Sequence, residues 1–132
     1  MVAVDESPEM LERLRQRTAD SANIEVLPAF QNTLALPDAS VERILAINIL
    51  HEIRGETALA EMRRLLVSDG LLVITDWDRE RPSQLGPPHH ERYSAAEAEQ
   101  EVACAGFLTE RPEIHLPYHF VVLARPAAQP IR

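Results

Sequence analysis

The chain is expected to fold as an α/β protein with a mostly parallel, Rossmann-like sheet ending in a C-terminal antiparallel hairpin. Three observations predict this. Short apolar runs alternate along the chain with segments of helical periodicity. The stretch Leu34 to Glu52 contains a run that is apolar on both faces but too short for a membrane span, as in a parallel strand covered by helices. The last two extended segments follow one another with no helix between them, so they should pair antiparallel at one edge.

Val2-Ala3-Val4 is a short strand ending at Asp5. Ser7 is a good N-cap with Pro8 at the first helical position, and the helix that follows puts Met10, Leu11 and Leu14 on one face. Ile24 to Leu27 is a second strand, stopped by Pro28. The run through Ile44-Leu45-Ala46-Ile47 and Ile49-Leu50 should be a central strand. After Gly55, Ala58, Leu59, Met62, Leu65 and Leu66 recur at helical spacing, and Ser68-Asp69-Gly70 reads as the turn into a buried strand from Leu71 to Thr75. A Pro-rich turn region covers Arg81 to His90. Ser94 and Glu97 form a capping box for a third helix that stops at Gly106. Phe107 to Leu116 and Tyr118 to Arg125 are the hairpin strands, joined at Pro117. One domain over residues 1–126 and a flexible tail over 127–132 complete the expected organisation.

Thirteen basic and twenty-one acidic residues give a net charge of −8. With no basic cluster, this argues against nucleic acid or an anionic membrane as the main partner. No stretch approaches the length of an apolar span, and the N-terminus lacks a signal-peptide pattern. The single cysteine, Cys104, fits a reducing compartment, so a cytoplasmic location is expected, with the thiol acting as a small buried hydrophobe.

The polar trio Asn48, His51 and Glu52 appears where the apolar run gives out. Open α/β sheets bind ligands beyond the carboxyl ends of their strands, which makes this end the candidate site. Asp5 ends an earlier strand in the same way. Imidazole titrates near neutrality, so His51 is the candidate general base, although a histidine at a strand end also serves structure. Asp76 and Asp78 are turn acids that would orient substrate. No metal is expected. His51-Glu52 opens like a zinc-protease motif, but Gly55 stands where the second histidine belongs, and the adjacent His89, His90 and Glu91 do not converge on one ion.

Taken together, the residues resemble the class I S-adenosylmethionine-dependent methyltransferases, in particular the branch of ubiquinone and menaquinone biosynthesis. VAVDESPEML resembles the family's second strand with its terminal acid and following helix. LALPDASVERILAINILHEI resembles the Leu-Pro loop and fourth strand, ALAEMRRLLVSDGLLVITDW the fourth helix and fifth strand, and SAAEAEQEVACAGF the helix before the final hairpin. The resemblance spans Val2 to Pro126 and implies S-adenosylmethionine as cofactor and a small-molecule acceptor. It implies that Asp5, with Glu6 beside it, receives the ribose hydroxyls, and that Asn48, counted with the cofactor-binding residues, and His51 lie where substrate meets the methyl group. Phe30 departs from the family, falling where many relatives have an acid that receives the adenine amino group; Gln31 or Asn32 would offer a carbonyl oxygen in its place, with Phe30 stacking on the ring. An acid at the end of that strand also occurs in nicotinamide-binding folds, and the terminal hairpin favours the methyltransferase.

The family's first strand and Gly-rich loop would precede Val2, so the resemblance implies an N-terminally truncated sheet. Three outcomes are open: direct pairing of the strands flanking the gap, completion by another chain as in a homodimer, or a longer parent protein. A chain without cofactor binding, kept as a homodimerisation or partner-binding module, is the competing reading.

Overall fold

In the computed structural model, residues 1–54 and 56–128 are described; Gly55 and residues 129–132, the greater part of the expected tail, lie outside the described residues. The chain divides into two compact units, Met1–Leu36 and Pro37–Arg132.

The first unit is a β-α-β element: β1 (Val2–Asp5), α1 (Pro8–Arg17) and β2 (Glu25–Pro28). The strands pair in parallel from Val2 opposite Glu25 to Asp5 opposite Pro28. α1 starts where the sequence predicts. The Ser7 hydroxyl accepts the Met10 N–H, Pro8 fills the first turn, and Glu9 and Arg15 with Arg17 complement the two ends of the helix dipole. Of the three apolar residues assigned to its inner face, Leu11 is buried, Leu14 half-buried and Met10 exposed. β2 lies one residue later than expected, taking in Pro28 at its end, where a missing N–H costs little.

The second unit contains β3 (Val41–Ile47), α2 (Glu56–Leu65), β4 (Leu66–Trp77), a 3-10 turn (His89–Glu91), α3 (Ala95–Cys104), β5 (Phe107–Glu110) and β6 (His119–Pro126). Its four strands run in the order β3-β4-β6-β5. β3 is parallel to β4, and β6 is antiparallel to both β4 and β5, so the expected hairpin forms at the edge. Burial alternates along β4 and β6. Leu72, Ile74, Phe120, Val122 and Ala124 join Leu59 of α2 and Ala98 and Val102 of α3 in one apolar cluster.

Three expectations are corrected. β3 is an edge strand of its sheet, not a central one, and Leu45 and Ile47 are 66% and 55% exposed. An apolar run shows what a strand can bury, not which strands flank it, and β1 and β3 belong to separate sheets instead of pairing across the gap. Ser68-Asp69-Gly70 does not separate helix from strand. It lies inside β4, where the register jumps from Val41 opposite Leu66 to Arg43 opposite Leu71. Glycine suits the close approach there, because a Cβ at position 70 would stand 3.0 Å from the Val67 carbonyl oxygen and 3.2 Å from that of Glu42, so the backbone would have to shift. Cys104 is exposed: it ends α3 two residues after buried Val102, about 200° round the helix from it.

Candidate functional site

In the first unit, the polar groups gather at the carboxyl end of the two parallel strands. Asp5 Oδ1 accepts the Ser7 N–H at 2.9 Å, and the Asp5 carbonyl accepts the Ala29 N–H at 3.0 Å, so the two strand ends are tied together. Oδ2 of Asp5 has no partner among the described residues. One residue beyond Ala29 the chain reverses in a tight turn, with Phe30 and Thr33 exchanging backbone hydrogen bonds at 3.1 and 2.9 Å. Gln31 and Asn32 take φ values of 50° and 61°, the left-handed pair of a hairpin turn of type I′ character. This turn leaves the Phe30 ring 74% exposed, with Gln31 and Glu6 also exposed. Asp5, Glu6, Phe30 and Gln31 are thus brought to one end of one small sheet.

Asn48 and His51 belong to the second unit. Because Ile47 of β3 is in register with Thr75 of β4, the residues after each strand meet, and Asp76 faces the turn that carries His51. Asp76 is 1% exposed and fully engaged: Oδ2 accepts the His51 backbone N–H at 2.9 Å and Oδ1 that of Trp77 at 2.8 Å. Both oxygens also lie 3.0 Å from His51 Nδ1. An ionised carboxylate only accepts, so Nδ1 is the nitrogen that carries the proton toward Asp76, and in the neutral imidazole the lone pair lies on Nε2. Nε2 stands 3.7 Å from Glu52 Oε1, and the ring is nearly buried.

His51 lines a cleft of about 650 Å³ with Glu52, Arg54, Pro87, Pro88 and Glu91. Arg54 braces it, donating from Nε to the His51 carbonyl at 3.2 Å and from Nη2 to the Glu91 carbonyl. Its guanidinium lies 4.7 Å from the Tyr93 ring centre. Burial, helped by the Glu101 carboxylate, pushes the Tyr93 hydroxyl up to about 12, so it stays neutral beside that brace.

The Pro-rich segment is a clamped wall. Arg92 is 3% exposed and donates from Nε to the Pro87 carbonyl at 3.0 Å, and from Nη2 to those of Ser83 and Leu85 at 3.0 and 2.6 Å. Its guanidinium lies 5.4 Å from the Trp77 ring centre. Gly86, at φ 87°, packs on the same indole so closely that a Cβ would come within 2.6 Å of it. Trp77 also meets the His119 ring, with centres 4.2 Å apart, and His119 Nε2 is 3.0 Å from Asn48 Oδ1. Asn48 sits at φ 56°, a conformation asparagine tolerates better than most residues, and its N–H bonds the Thr75 carbonyl at 2.8 Å. Asn48 itself is exposed.

Asp78 does not join the site. Its Oδ1 accepts the Glu80 N–H at 2.9 Å, as a turn acid does. The sequence reading missed the His51–Asp76 pair, His119 and Arg92. One signal was available for the first: two parallel strands in register bring their terminal polar residues together, however far apart they are in sequence.

The methyltransferase-domain family profile matches residues 1–74. Among solved structures, a SAM-dependent methyltransferase from Aquifex aeolicus is 29% identical with a TM-score of 0.87, over 96% of this chain and 68% of that one. The PH0226 protein from Pyrococcus horikoshii shares the fold at 18% identity and a TM-score of 0.76, over 96% of this chain and 71% of that one. An uncharacterised 37.1 kDa protein in transposon Tn4556 of Streptomyces fradiae is 36% identical over 81 residues, 59% of this chain. The chain spans about a quarter of that relative's length, 24%. With the family profile covering more than half of the chain and the α/β fold shared throughout, this chain belongs to the methyltransferase-domain family.

Proposed function

We propose that this chain takes part in S-adenosylmethionine-dependent methyl transfer to a small-molecule acceptor, with His51 Nε2 as the proton acceptor. The observation that carries this reading is the imidazole held at Nδ1 by buried Asp76, on a residue that lines a cleft of about 650 Å³. Such a base contributes roughly a hundredfold or more when the acceptor has a proton to lose. Family membership and the Aquifex structure support the choice of cofactor.

The residues of the first unit fit that cofactor. Asp5 has a free carboxylate oxygen at a parallel strand end, suited to ribose hydroxyls, and the exposed Phe30 ring is a stacking platform for adenine, with Glu6 and Gln31 alongside. When bound, S-adenosylmethionine supplies an electrophilic methyl group on a sulfonium sulfur. The chain's own part is to bind, to orient through the Asn48 amide, and to hold the departing proton on His51. The residue resemblance favours the ubiquinone and menaquinone-biosynthesis branch, and the single cysteine favours a cytoplasmic location.

The test is formation of S-adenosylhomocysteine from purified protein and a panel of small-molecule acceptors. His51→Gln should lower turnover at least about a hundredfold with cofactor affinity kept. Equal turnover in the variant would remove His51 from the reaction.

A second reading has its own support. Leu45 and Ile47 are exposed on edge strand β3, as expected of a surface that another copy or a partner covers. A stable dimer in sedimentation analysis, lost in Leu45→Lys, together with no cofactor binding, would favour the inactive homodimerisation or partner-binding module.

A further inference from the structure

Beyond the reaction type, and resting on the methyl-transfer reading above, the cleft beside His51 carries information about its acceptor. Its charged lining is two carboxylates, Glu52 and Glu91, and one guanidinium, Arg54. These charges are not equally available. Arg54 gives Nε and Nη2 to the backbone carbonyls of His51 and Glu91, and its face lies against Tyr93. It is committed to holding the cleft's two sides together. The carboxylates are free by comparison. Glu52 is 70% exposed, with the His51 ring 3.7 Å away, and Glu91 lies at the edge, 4.0 Å from the exposed His90 ring. Pro87 and Pro88 supply an apolar wall, held in place by Arg92.

We infer that the acceptor is a small amine, cationic in solution and with an apolar body, and that Glu52 and Glu91 recruit its ammonium while His51 makes it reactive. A protonated amine has no lone pair to offer. His51 Nε2, whose lone pair is left free by the Nδ1–Asp76 contact, takes one ammonium proton and becomes imidazolium between Asp76 and Glu52. The neutral amine nitrogen then forms the new C–N bond as the methyl carbon's bond to the sulfonium sulfur breaks. The sulfur keeps that electron pair, the nitrogen becomes a methylated ammonium, and the His51 proton returns to solvent. Glu52 stabilises both the incoming ammonium and the imidazolium. The chain's net charge of −8 adds a long-range attraction for cations. A carboxylate or phosphate acceptor would instead meet two like charges and a guanidinium already bonded.

The test compares three probes of one shape by NMR titration of the full chain: phenethylamine, 2-phenylethanol and 3-phenylpropionate. Phenethylamine should bind roughly tenfold tighter than either of the others, the size of one charge-assisted contact, and shift the resonances of His51 and Glu91. Glu52→Gln with Glu91→Gln should abolish that preference; both side chains are on the surface, and an unchanged thermal unfolding curve verifies the fold. Preference for phenylpropionate, or no preference among the three, would overturn the inference. Parallel titration with S-adenosylmethionine keeps the two claims apart. Amine preference without cofactor binding refutes methyl transfer but leaves the amine site standing. Turnover of the alcohol or the acid in place of the amine refutes the amine site and leaves methyl transfer standing.

Discussion

The two units differ most in how much they bury. In Met1–Leu36, Leu11 is the one buried side chain among the described residues, whereas Pro37–Arg132 packs a continuous cluster from Ala46 to Ala124 against α2 and α3. The chemistry assigned to each follows the same division. Receiving ribose hydroxyls and stacking on a flat ring needs groups presented outward at a fixed spacing. In the proposed function, two strand ends tied by the Ala29–Asp5 hydrogen bond and a tight turn at Phe30 would do that with little core. Fixing an imidazole tautomer needs a carboxylate that water does not reach, and Asp76 has that only because it continues the buried face of β4 beyond Leu72 and Ile74. The lesson is that the polar groups of a site can be carried by very different amounts of core, according to whether they must be shown or shielded.

The contrast is open to attack in order of effect. Ile74→Ala, at a fully buried position, should cost about 2–5 kcal/mol in denaturant unfolding, and Leu11→Ala distinctly less. Equal losses would mean the first unit has a core of comparable weight. Asp76→Ala strands two backbone N–H groups and an imidazole, so about 2–3 kcal/mol should be lost. Asp5→Ala gives up one half-buried contact to Ser7 and should cost about 1 kcal/mol or less. Gly86→Ala puts a methyl group into the Trp77 ring at a left-handed φ, for about 1–2 kcal/mol. It should disturb acceptor binding in the second unit while leaving a cofactor titration unchanged.

The smallest effect depends on acid. Arg79, hydrogen-bonded to Glu97, holds that carboxyl below its ordinary range against an opposing contribution from burial. A depressed folded value stabilises above the unfolded carboxylate pKa, and the contribution is lost as pH falls through the folded one. Arg79→Ala should therefore move acid unfolding of the second unit slightly upward in pH, as followed by circular dichroism. No movement would mean that the capping box of α3 alone sets the Glu97 carboxyl.

The alternating β-α pattern, the Ser7 and Ser94 caps and the terminal hairpin were legible because each rests on residues close together in sequence. What was not legible rests on neighbours distant in sequence. The apolar run at Ile44 shows nothing of its own place in the sheet, so β3 was read as central. Ser68-Asp69-Gly70 has turn chemistry, but the pairing of β3 with β4 turns it into a bulge. Asp5 and Phe30 were found singly and are brought together by a parallel register. His51 and Asp76 are each singled out by sequence, but not as a pair 25 residues apart, because nothing local marks an acid as the partner of a particular imidazole. Arg92 gave no signal at all: its partners are backbone carbonyls, which every residue has.

The proposed function puts cofactor recognition on the first unit and proton transfer on the second. The most direct measurement is calorimetric titration of S-adenosylmethionine into three proteins: wild type, Asp5→Ala and Asp76→Asn. Binding near one per chain is expected, weakened by more than about 1 kcal/mol, or roughly fivefold, in Asp5→Ala and unchanged in Asp76→Asn. Affinity that is indifferent to Asp5 but falls with Asp76 would contradict it.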